Sequence, residues 1–327
     1  MSAAAAGSGT VAELGEFGLI AAVTARLAQG GDVLLGPGDN AAVLAAPDGR
    51  VVVSTDVLVE TQHFRRDWSS GQDVGAKAAA QNLADIAAMG AVPTALVVGL
   101  AAPAELPAEW ALALADGLAE EAALVGASVV GGDVVRSPAL ITVAVTALGT
   151  LRGHPPLTRS GARPGDIVAV AGRLGWAAAG LAVLRRGFRS PRALVGAHRR
   201  PEPPYAAGPE AARLGATSLV DVSDGLVQDL GHVARASGVR IGLAGSAFDV
   251  AAPLRDTAAA LGVDPLGWVL GGGEDHALAG TFPPGVDLPE GWRVVGRVLD
   301  EPPRRREDDV HVDGQPWERG GFDHFAG

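Results

Sequence analysis

Cysteine is absent from the 327-residue chain, and aromatic residues make up only 4% of it. The protein therefore has no disulfide framework, no thiolate nucleophile and no cysteine-ligated metal site, which favours a cytoplasmic location. No apolar run reaches the roughly 18 residues that a membrane-spanning helix needs. The N-terminal segment MSAAAAGSGT lacks the basic region and apolar core of a signal peptide. We expect a protein that acts away from membranes.

Basic residues are also few, since 26 Lys and Arg stand against 37 Asp and Glu, for a formal net charge of −11. Nucleic-acid binders need basic surface to displace counterions, so this balance excludes a general nucleic-acid partner. Carboxylates repel phosphates. If the ligand carries phosphate groups, the nearby acids must hold cations that bridge to it.

The chain is long enough for two domains, and 48% of its residues are hydrophobic. Helical and strand patterns alternate, which predicts a mixed α/β fold. We place a boundary near residue 152, where a loop rich in Pro, Gly and Arg follows, giving domains 1–152 and 153–327. Residues 41–46 and 51–59 flank Pro47-Asp48-Gly49 and predict an antiparallel hairpin. The basic, proline-rich stretch 185–204 is interpreted as a surface connection.

Four short acidic segments lie where an apolar strand stops or is interrupted. They are Gly36–Asn40, Ser54–Asp56, Gly131–Asp133 and Asp221–Gly225. Each one alone is better explained as a turn or a helix cap, but four together weaken that explanation. Within the second segment, strand alternation puts Ser54 and Asp56 on one face and Thr55 on the other. Such a triplet would be costly if it were buried without partners.

Asp85 is a fifth acid, in a predicted helix whose other side chains are mostly apolar. Two like charges about 4 Å apart repel by about 4 kcal/mol at an effective dielectric of 20, and a divalent cation reverses the sign. Hydroxyl and carboxylate ligands without cysteine or paired histidine predict magnesium rather than zinc.

The usual phosphate-binding fingerprints are missing, since the sequence has neither a P-loop nor a G-x-G-x-x-G that opens a helix after the first strand. The glycine run Gly271–Gly273 would let the backbone approach a ligand closely, with Glu274 at a helix start. A flexible turn explains that run equally well.

The order of these motifs resembles the thiamine-monophosphate kinase family. This family belongs to the superfamily of aminoimidazole ribonucleotide synthetase and selenophosphate synthetase. The acidic turns are shared across the superfamily, whereas the His63 segment, the Gly-Gly-Glu-Asp motif and the terminal Gly-Phe-Asp-His-Phe point to the kinase. The resemblance covers roughly residues 13–325, and the matching segments are GPGDNAAVL, STDVLVETQHF, NLADIAAMGA, GGDVVR, LTRSGARPGD, DVSDGL, DLGHVA, GGGEDHAL and GFDHF.

The resemblance implies a two-domain α/β fold of the aminoimidazole ribonucleotide synthetase type. Domain 1–152 would bind ATP and magnesium and form a barrel with the strands of a second subunit, in a homodimer. Domain 153–327 would complete the active site. The implied magnesium ligands are Asn40, Ser54, Thr55, Asp56, Asp85, Asp133, Asp221 and Asp224. The implied ATP contacts are Gly132, Asp133, Arg159 and Ser223. The implied thiamine-phosphate site contains His63, Glu274 and Phe322, and catalysis is expected to depend on Asp56, Asp133, Arg159 and Asp221.

Without the resemblance, His63, Glu274 and Phe322 would be interpreted as a surface histidine, a helix-start glutamate and a groove-filling aromatic. Two positions depart from the family pattern. Asn40 replaces the second Asp of Gly-Asp-Asp and removes one negative charge from a metal site. Relatives commonly have an aromatic before Gly in the helix that precedes Gly131, and here Ala115 lies in that segment.

The implied reaction is direct in-line transfer of the ATP γ-phosphoryl group to thiamine phosphate, with several magnesium ions and no covalent intermediate. Two alternatives stay open. One is a catalytically silent nucleotide- or thiamine-binding protein, which Asn40 and Ala115 would support. The other is a different ATP-using enzyme of the superfamily. Selenophosphate synthetase is disfavoured, because its reactive Cys or selenocysteine has no counterpart here.

Overall fold

The structure is a computed structural model that describes residues 9–37, 41–300 and 309–317. The chain divides into two compact units. Unit 1 comprises the chain through Ile86 together with Val92–Arg152, and unit 2 comprises Ala87–Ala91 and the chain from Gly153 onward. Both units combine helices with a sheet, which confirms the predicted mixed α/β fold. No helix within the described ranges is long and apolar enough to cross a bilayer.

Unit 1 is built on a four-stranded sheet. Its elements are α1 (Val11–Thr24), β1 (Val33–Leu35), β2 (Val43–Leu44), β3 (Val52–Val59), α2 (Gly71–Ala88), β4 (Val92–Ala102), α3 (Ala108–Ala123), β5 (Ser128–Arg136) and β6 (Thr142–Thr150). The strand order is β3-β6-β4-β5. The β4–β5 pair is parallel, and β6 pairs antiparallel with both β3 and β4. This order puts β3 and β5 at opposite edges.

The hairpin predicted around Pro47-Asp48-Gly49 is wrong. Strand β2 pairs with β1, whereas β3 pairs along its whole length with β6, from Val52 opposite Gly149 to Val59 opposite Thr142. Strand β2 has only two residues, so it offers β3 far fewer main-chain hydrogen bonds than the nine-residue β6 does. The turn itself forms, with Gly49 at φ 70°, but it joins strands of two different sheets.

Glycines bring α2 and α3 of unit 1 into backbone contact. A Cβ added to Gly75 would lie 2.0 Å from the carbonyl oxygen of Leu114, and one added to Gly117 would lie 2.1 Å from that of Gln72. Neither position has room for a side chain. The close packing also buries Ala115, one of the two positions where the sequence departs from the family pattern.

Unit 2 is built on a seven-stranded sheet with the order β13-β12-β9-β11-β7-β10-β8. Its strands are β7 (Ile167–Ala171), β8 (Ser218–Val222), β9 (Arg240–Leu243), β10 (Ala277–Phe282), β11 (Trp292–Leu299), β12 (Val310–Val312) and β13 (Gln315–Pro316). Its helices are α4 (Trp176–Arg185), α5 (Arg192–Arg199), α6 (Ala207–Arg213), α7 (Leu226–Ser237), α8 (Ala252–Leu261) and α9 (Pro265–Gly271). Every residue of β8 is buried. The packing of this strand therefore fixes the position at which the following loop begins.

The stretch 185–204 is not only a surface connection, because it contains α5. Leu194, Val195, Ala197 and His198 of this helix are buried. A Cβ added to Gly180 of α4 would lie 2.1 Å from the carbonyl oxygen of Leu194, so α4 and α5 pack backbone to backbone. The dense arginines and the short length of α5 obscured its apolar stripe in the sequence.

Candidate active site

Strand β3 and helix α2 bring three of the predicted metal ligands together. The Oγ atom of Ser54 donates a hydrogen bond to Oδ2 of Asp85, at 2.6 Å. The backbone N–H of Asp56 donates to Oδ1 of Asn82, at 3.0 Å. Strand alternation gives the side chains of Ser54 and Asp56 the same face. Hydroxyl and carboxylate oxygens thus gather where β3 meets α2.

Asn82 supports this cluster, and the sequence reasoning did not single it out. Its side chain is fully buried, and its Nδ2 donates to the carbonyl oxygen of Ala78 in the same helix, at 2.8 Å. Both ends of the amide are therefore used, one within α2 and one on β3. The available signal was an amide three residues before Asp85 on an otherwise apolar helix.

Thr55 lies on the opposite face of β3. Its Oγ1 donates to the carbonyl oxygen of Val145 at 2.9 Å and accepts from Oγ1 of Thr146 at 3.1 Å. These bonds tie Thr55 to the neighbouring strand β6. The three residues of the predicted triplet are therefore divided between the two faces, as alternation required.

Asp133 lies within a strand, so the interpretation of Gly131–Asp133 as a turn is wrong. Strand β5 continues through this segment, and a Cβ on Gly132 would lie 1.9 Å from the carbonyl oxygen of Val98. Only glycine allows β4 and β5 to approach this closely. Asp133 itself is exposed, and its Oδ1 accepts from the N–H of Val134, at 2.9 Å.

One copy of the unit 1 sheet does not bring Asp133 to Asp56. Two strands, β6 and β4, lie between their strands, so three inter-strand spacings separate them by roughly 14 Å. Among the described residues, no three carboxylate or imidazole side chains are grouped closely enough to hold a metal ion. Unit 1 therefore unites Ser54, Asp56 and Asp85 and leaves Asp133 at the other edge.

In unit 2 the acidic loop after β8 is held by Asp229 of α7. Oδ2 of Asp229 accepts hydrogen bonds from the backbone N–H groups of Asp224, at 3.0 Å, and Gly225, at 3.1 Å. Burial, and after it the negative charge of Asp221, raise the pKa of Asp229 to about 7. Oδ2 of Asp221 lies 3.3 Å from Nδ1 of His276. The loop therefore concentrates negative charge that a cation would relieve.

The glycine run packs against this same loop. A Cβ on Gly273 would lie 2.2 Å from the carbonyl oxygen of Ser223. The N–H of Glu274 donates to that oxygen at 2.8 Å, and the N–H of His276 donates to the carbonyl oxygen of Val222 at 3.1 Å. Ser223 itself is half-buried. The expected helix start is wrong, because α9 ends at Gly271 and Glu274 precedes β10.

The side chains of the consecutive residues Glu274, Asp275 and His276 contact α5, α4 and β8, respectively. Glu274 and His276 have left-handed backbones, with φ of 68° and 51°, a strained conformation that surrounding contacts must maintain. Oε2 of Glu274 lies 3.3 Å from Nδ1 of His198 in α5. Oδ1 of Asp275 accepts from the N–H of Ala177 in the first turn of α4, at 2.9 Å. Burial raises the pKa of Asp275 to about 7.

Four predicted site residues remain, namely His63, Arg159, Asn40 and Phe322. Nδ1 of His63 accepts from the N–H of Val59, at 2.9 Å, so its Nε2 carries the proton when the ring is neutral. Arg159 is exposed, and its carbonyl oxygen accepts from Oγ of Ser237, at 3.1 Å. Asn40 and Phe322 lie outside the described residues.

Comparison with known proteins gives a consistent relationship over nearly the whole chain. The family model of the AIR synthase related protein, N-terminal domain, matches residues 38–151. The thiamine-monophosphate kinase of Mycobacterium tuberculosis is 52% identical over 311 residues, which cover 95% of this chain and 91% of the relative.

Solved structures agree. The crystal structure of the thiamine-monophosphate kinase from Stenotrophomonas maltophilia K279a has a TM-score of 0.79 at 32% identity, covering 91% of this chain and 96% of that one. A structure described as AaThiL complexed with AMPPCP and TMP has a TM-score of 0.77 at 30% identity, covering 96% and 98%. The chain described here therefore belongs to the thiamine-monophosphate kinase family.

Proposed function

We propose that this protein transfers the γ-phosphoryl group of ATP to thiamine phosphate and forms thiamine diphosphate. The observation that carries the proposal is the 52% identity to a thiamine-monophosphate kinase over 95% of the chain. Thiamine phosphate is the acceptor and ATP is the co-substrate. The site geometry fits this chemistry, because the gathered side chains are oxygen donors suited to cations that bridge to phosphates.

Magnesium is part of the proposal. The hydroxyl of Ser54 and the carboxylate of Asp85 are already in contact, and Asp56 lies on the same face of β3. In unit 2, Asp221 and Asp224 lie beside Asp229, a carboxyl whose pKa is raised by burial and by the negative charge of Asp221. We propose that these groups, with Thr55, Asp133 and Asn40, hold several magnesium ions. Bound there, magnesium would neutralise the negative charge of the transferring phosphoryl group.

The protein's own residues have to align the two substrates. The acceptor phosphate is already an anion at neutral pH, so a strong general base is unnecessary. The rate enhancement then depends on holding donor and acceptor in line and on countering negative charge. We assign the charge-countering role to the exposed guanidinium of Arg159. Gly132, Asp133 and Ser223 are the proposed contacts to the nucleotide.

We propose that Glu274, His63 and Phe322 bind the thiamine moiety. A carboxylate can accept from the amino group of its heterocycle, and an aromatic ring can stack on it. In support, Glu274 keeps a third of its side-chain surface exposed while its backbone is fixed against Ser223. Nδ1 of His63 accepts from the N–H of Val59, so the neutral ring carries its N–H at Nε2.

We also propose a homodimer with a barrel shared between two copies of the unit 1 sheet. The face of β3 opposite Ser54 carries Val53 and Val57, which are 59% and 47% exposed. In the same sheet Val97 and Val135 are 38% and 51% exposed. A second copy would cover this apolar surface. It would also supply another β3 edge to Asp133, which one sheet holds far from Asp56.

The test is formation of thiamine diphosphate from thiamine phosphate, ATP and magnesium, with free thiamine as a control acceptor. We expect product only from thiamine phosphate, and none after magnesium is removed with a chelator. Tight binding of both ligands without product or ADP would instead establish the silent binding protein. ADP formed only with another acceptor would establish a different enzyme of the superfamily.

A further inference from the structure

The carboxylate of Glu274 is backed by a buried histidine that the sequence reasoning missed. His198 is only 5% exposed, and its Nδ1 lies 3.3 Å from Oε2 of Glu274. The Glu274 side chain is 33% exposed. One carboxylate oxygen thus meets an imidazole inside the protein, while part of the same group stays open to a ligand.

Helix packing fixes the position of this histidine. A Cβ on Gly180 of α4 would lie 2.1 Å from the carbonyl oxygen of Leu194 and 2.9 Å from Cβ of His198. The bare glycine therefore lets α5 approach until the base of the His198 side chain rests on α4. Leu194, Val195 and Ala197 fill the rest of the buried stripe. His198 has little freedom to move away from Glu274.

The backbone of Glu274 is held independently. Its N–H donates to the carbonyl oxygen of Ser223, and its φ of 68° fixes the direction in which the side chain leaves the chain. The side-chain torsions remain to be set, and the contact with His198 sets them. Backbone and carboxylate are then both constrained, which is what a binding group needs to act without losing further entropy.

We propose that His198 is a positioning residue that orients Glu274 toward the amino-bearing heterocycle of thiamine phosphate. This inference rests on the proposed function, because the contact between Glu274 and the substrate belongs to that proposal. His198 acts through Glu274 and does not touch the substrate itself. Its loss should therefore weaken acceptor binding and leave ATP binding and the transfer step intact.

Three variants test the role. His198→Leu removes the polar contact with Oε2 of Glu274 at similar bulk and should raise KM for thiamine phosphate about tenfold, which corresponds to about 1.4 kcal/mol. His198→Asn keeps an amide donor near the Nδ1 position and should recover KM to within about threefold of wild type. Val195→Ala is the matched control, since it loosens the same buried stripe without touching the polar contact. In all three, kcat and KM for ATP should change by less than about twofold.

The Glu274→Gln variant separates the possible failures. If the wild-type protein forms no thiamine diphosphate, the proposed function itself is wrong. An unchanged KM in Glu274→Gln removes Glu274 from the acceptor site, and His198 loses its role with it. If Glu274→Gln raises KM but His198→Leu does not, or if His198→Leu and Val195→Ala raise it equally, the positioning role is overturned. With a positioning role, adding His198→Leu to Glu274→Gln leaves KM unchanged, because the pair acts as one unit.

Discussion

Asp275 should make the stability of unit 2 depend on pH, and Asp275→Asn should remove that dependence. The carboxyl is only 4% exposed, and its Oδ2 has no hydrogen-bond partner within the described part of the chain. Burial raises its pKa from 3.8 to about 7. Since the folded-state pKa is raised, the stabilisation by the bound proton is complete below about pH 4 and is lost as the pH rises through about 7.

The magnitude follows from the size of the pKa change. About three pKa units at 1.36 kcal/mol each correspond to roughly 4 kcal/mol between pH 4 and pH 8. Asparagine keeps Oδ1 as the acceptor for the N–H of Ala177 and stays neutral at every pH. The free energy of unfolding of wild type minus that of Asp275→Asn should therefore fall by about 4 kcal/mol over this range.

The assay is urea unfolding of both proteins from pH 4 to pH 8, followed by hydrogen exchange in α4 and β10. Taking the difference between the two proteins cancels the titration of other groups, including Asp229. A difference that stays constant within about 1 kcal/mol across the range would refute the reasoning. Carbon-13 NMR of the Asp275 carboxyl is an independent check, because the resonance should titrate near pH 7 in wild type.

Three further predictions concern unit 1. Asp56→Asn should lower kcat at least about 100-fold with little change in melting temperature, because it removes a metal ligand and leaves the main-chain bond to Asn82 intact; wild-type turnover would contradict the metal role. Asn82→Leu should destabilise the protein by about 1–3 kcal/mol in urea unfolding, because the N–H of Asp56 loses its acceptor; unchanged stability would contradict this. Val57→Asp should shift sedimentation toward monomer, because it buries a charge in the proposed subunit interface; an unchanged dimer would exclude this face.

The sequence predicted local elements well where one periodic pattern decided the outcome. Asp85 was predicted to lie on a helix and is part of α2, and the segment Asp221–Gly225 was predicted to lie where an apolar strand stops, which is the end of β8. The polar triplet on β3 was predicted to alternate, and Thr55 does lie opposite Ser54. These features depend on neighbours within a few residues, so the sequence carries enough information about them.

The failures concern partners distant in sequence. Strand β3 preferred β6 over its sequence neighbour, and the glycines of β5 form a strand because Val98 lies against them. Asn82, Asp229 and His198 support the predicted ligands from other elements, and each is an ordinary polar residue until its partner is known. A single sequence contains no signal for such pairings, since the contacts arise only when the elements pack.

The hydrogen bonds of Asp229 distinguish the loop after β8 from the phosphate-binding loop of a P-loop protein. In P-loop proteins, free amides at the start of a helix bind the phosphate directly. Here the amides of Asp224 and Gly225, at the start of α7, already bind an internal carboxylate. The carboxyl group of Asp229 thus occupies the helix start that a phosphate would otherwise bind. An incoming phosphate would have to displace that carboxyl group or approach through a cation, which fits the proposal that Asp221 and Asp224 bind magnesium.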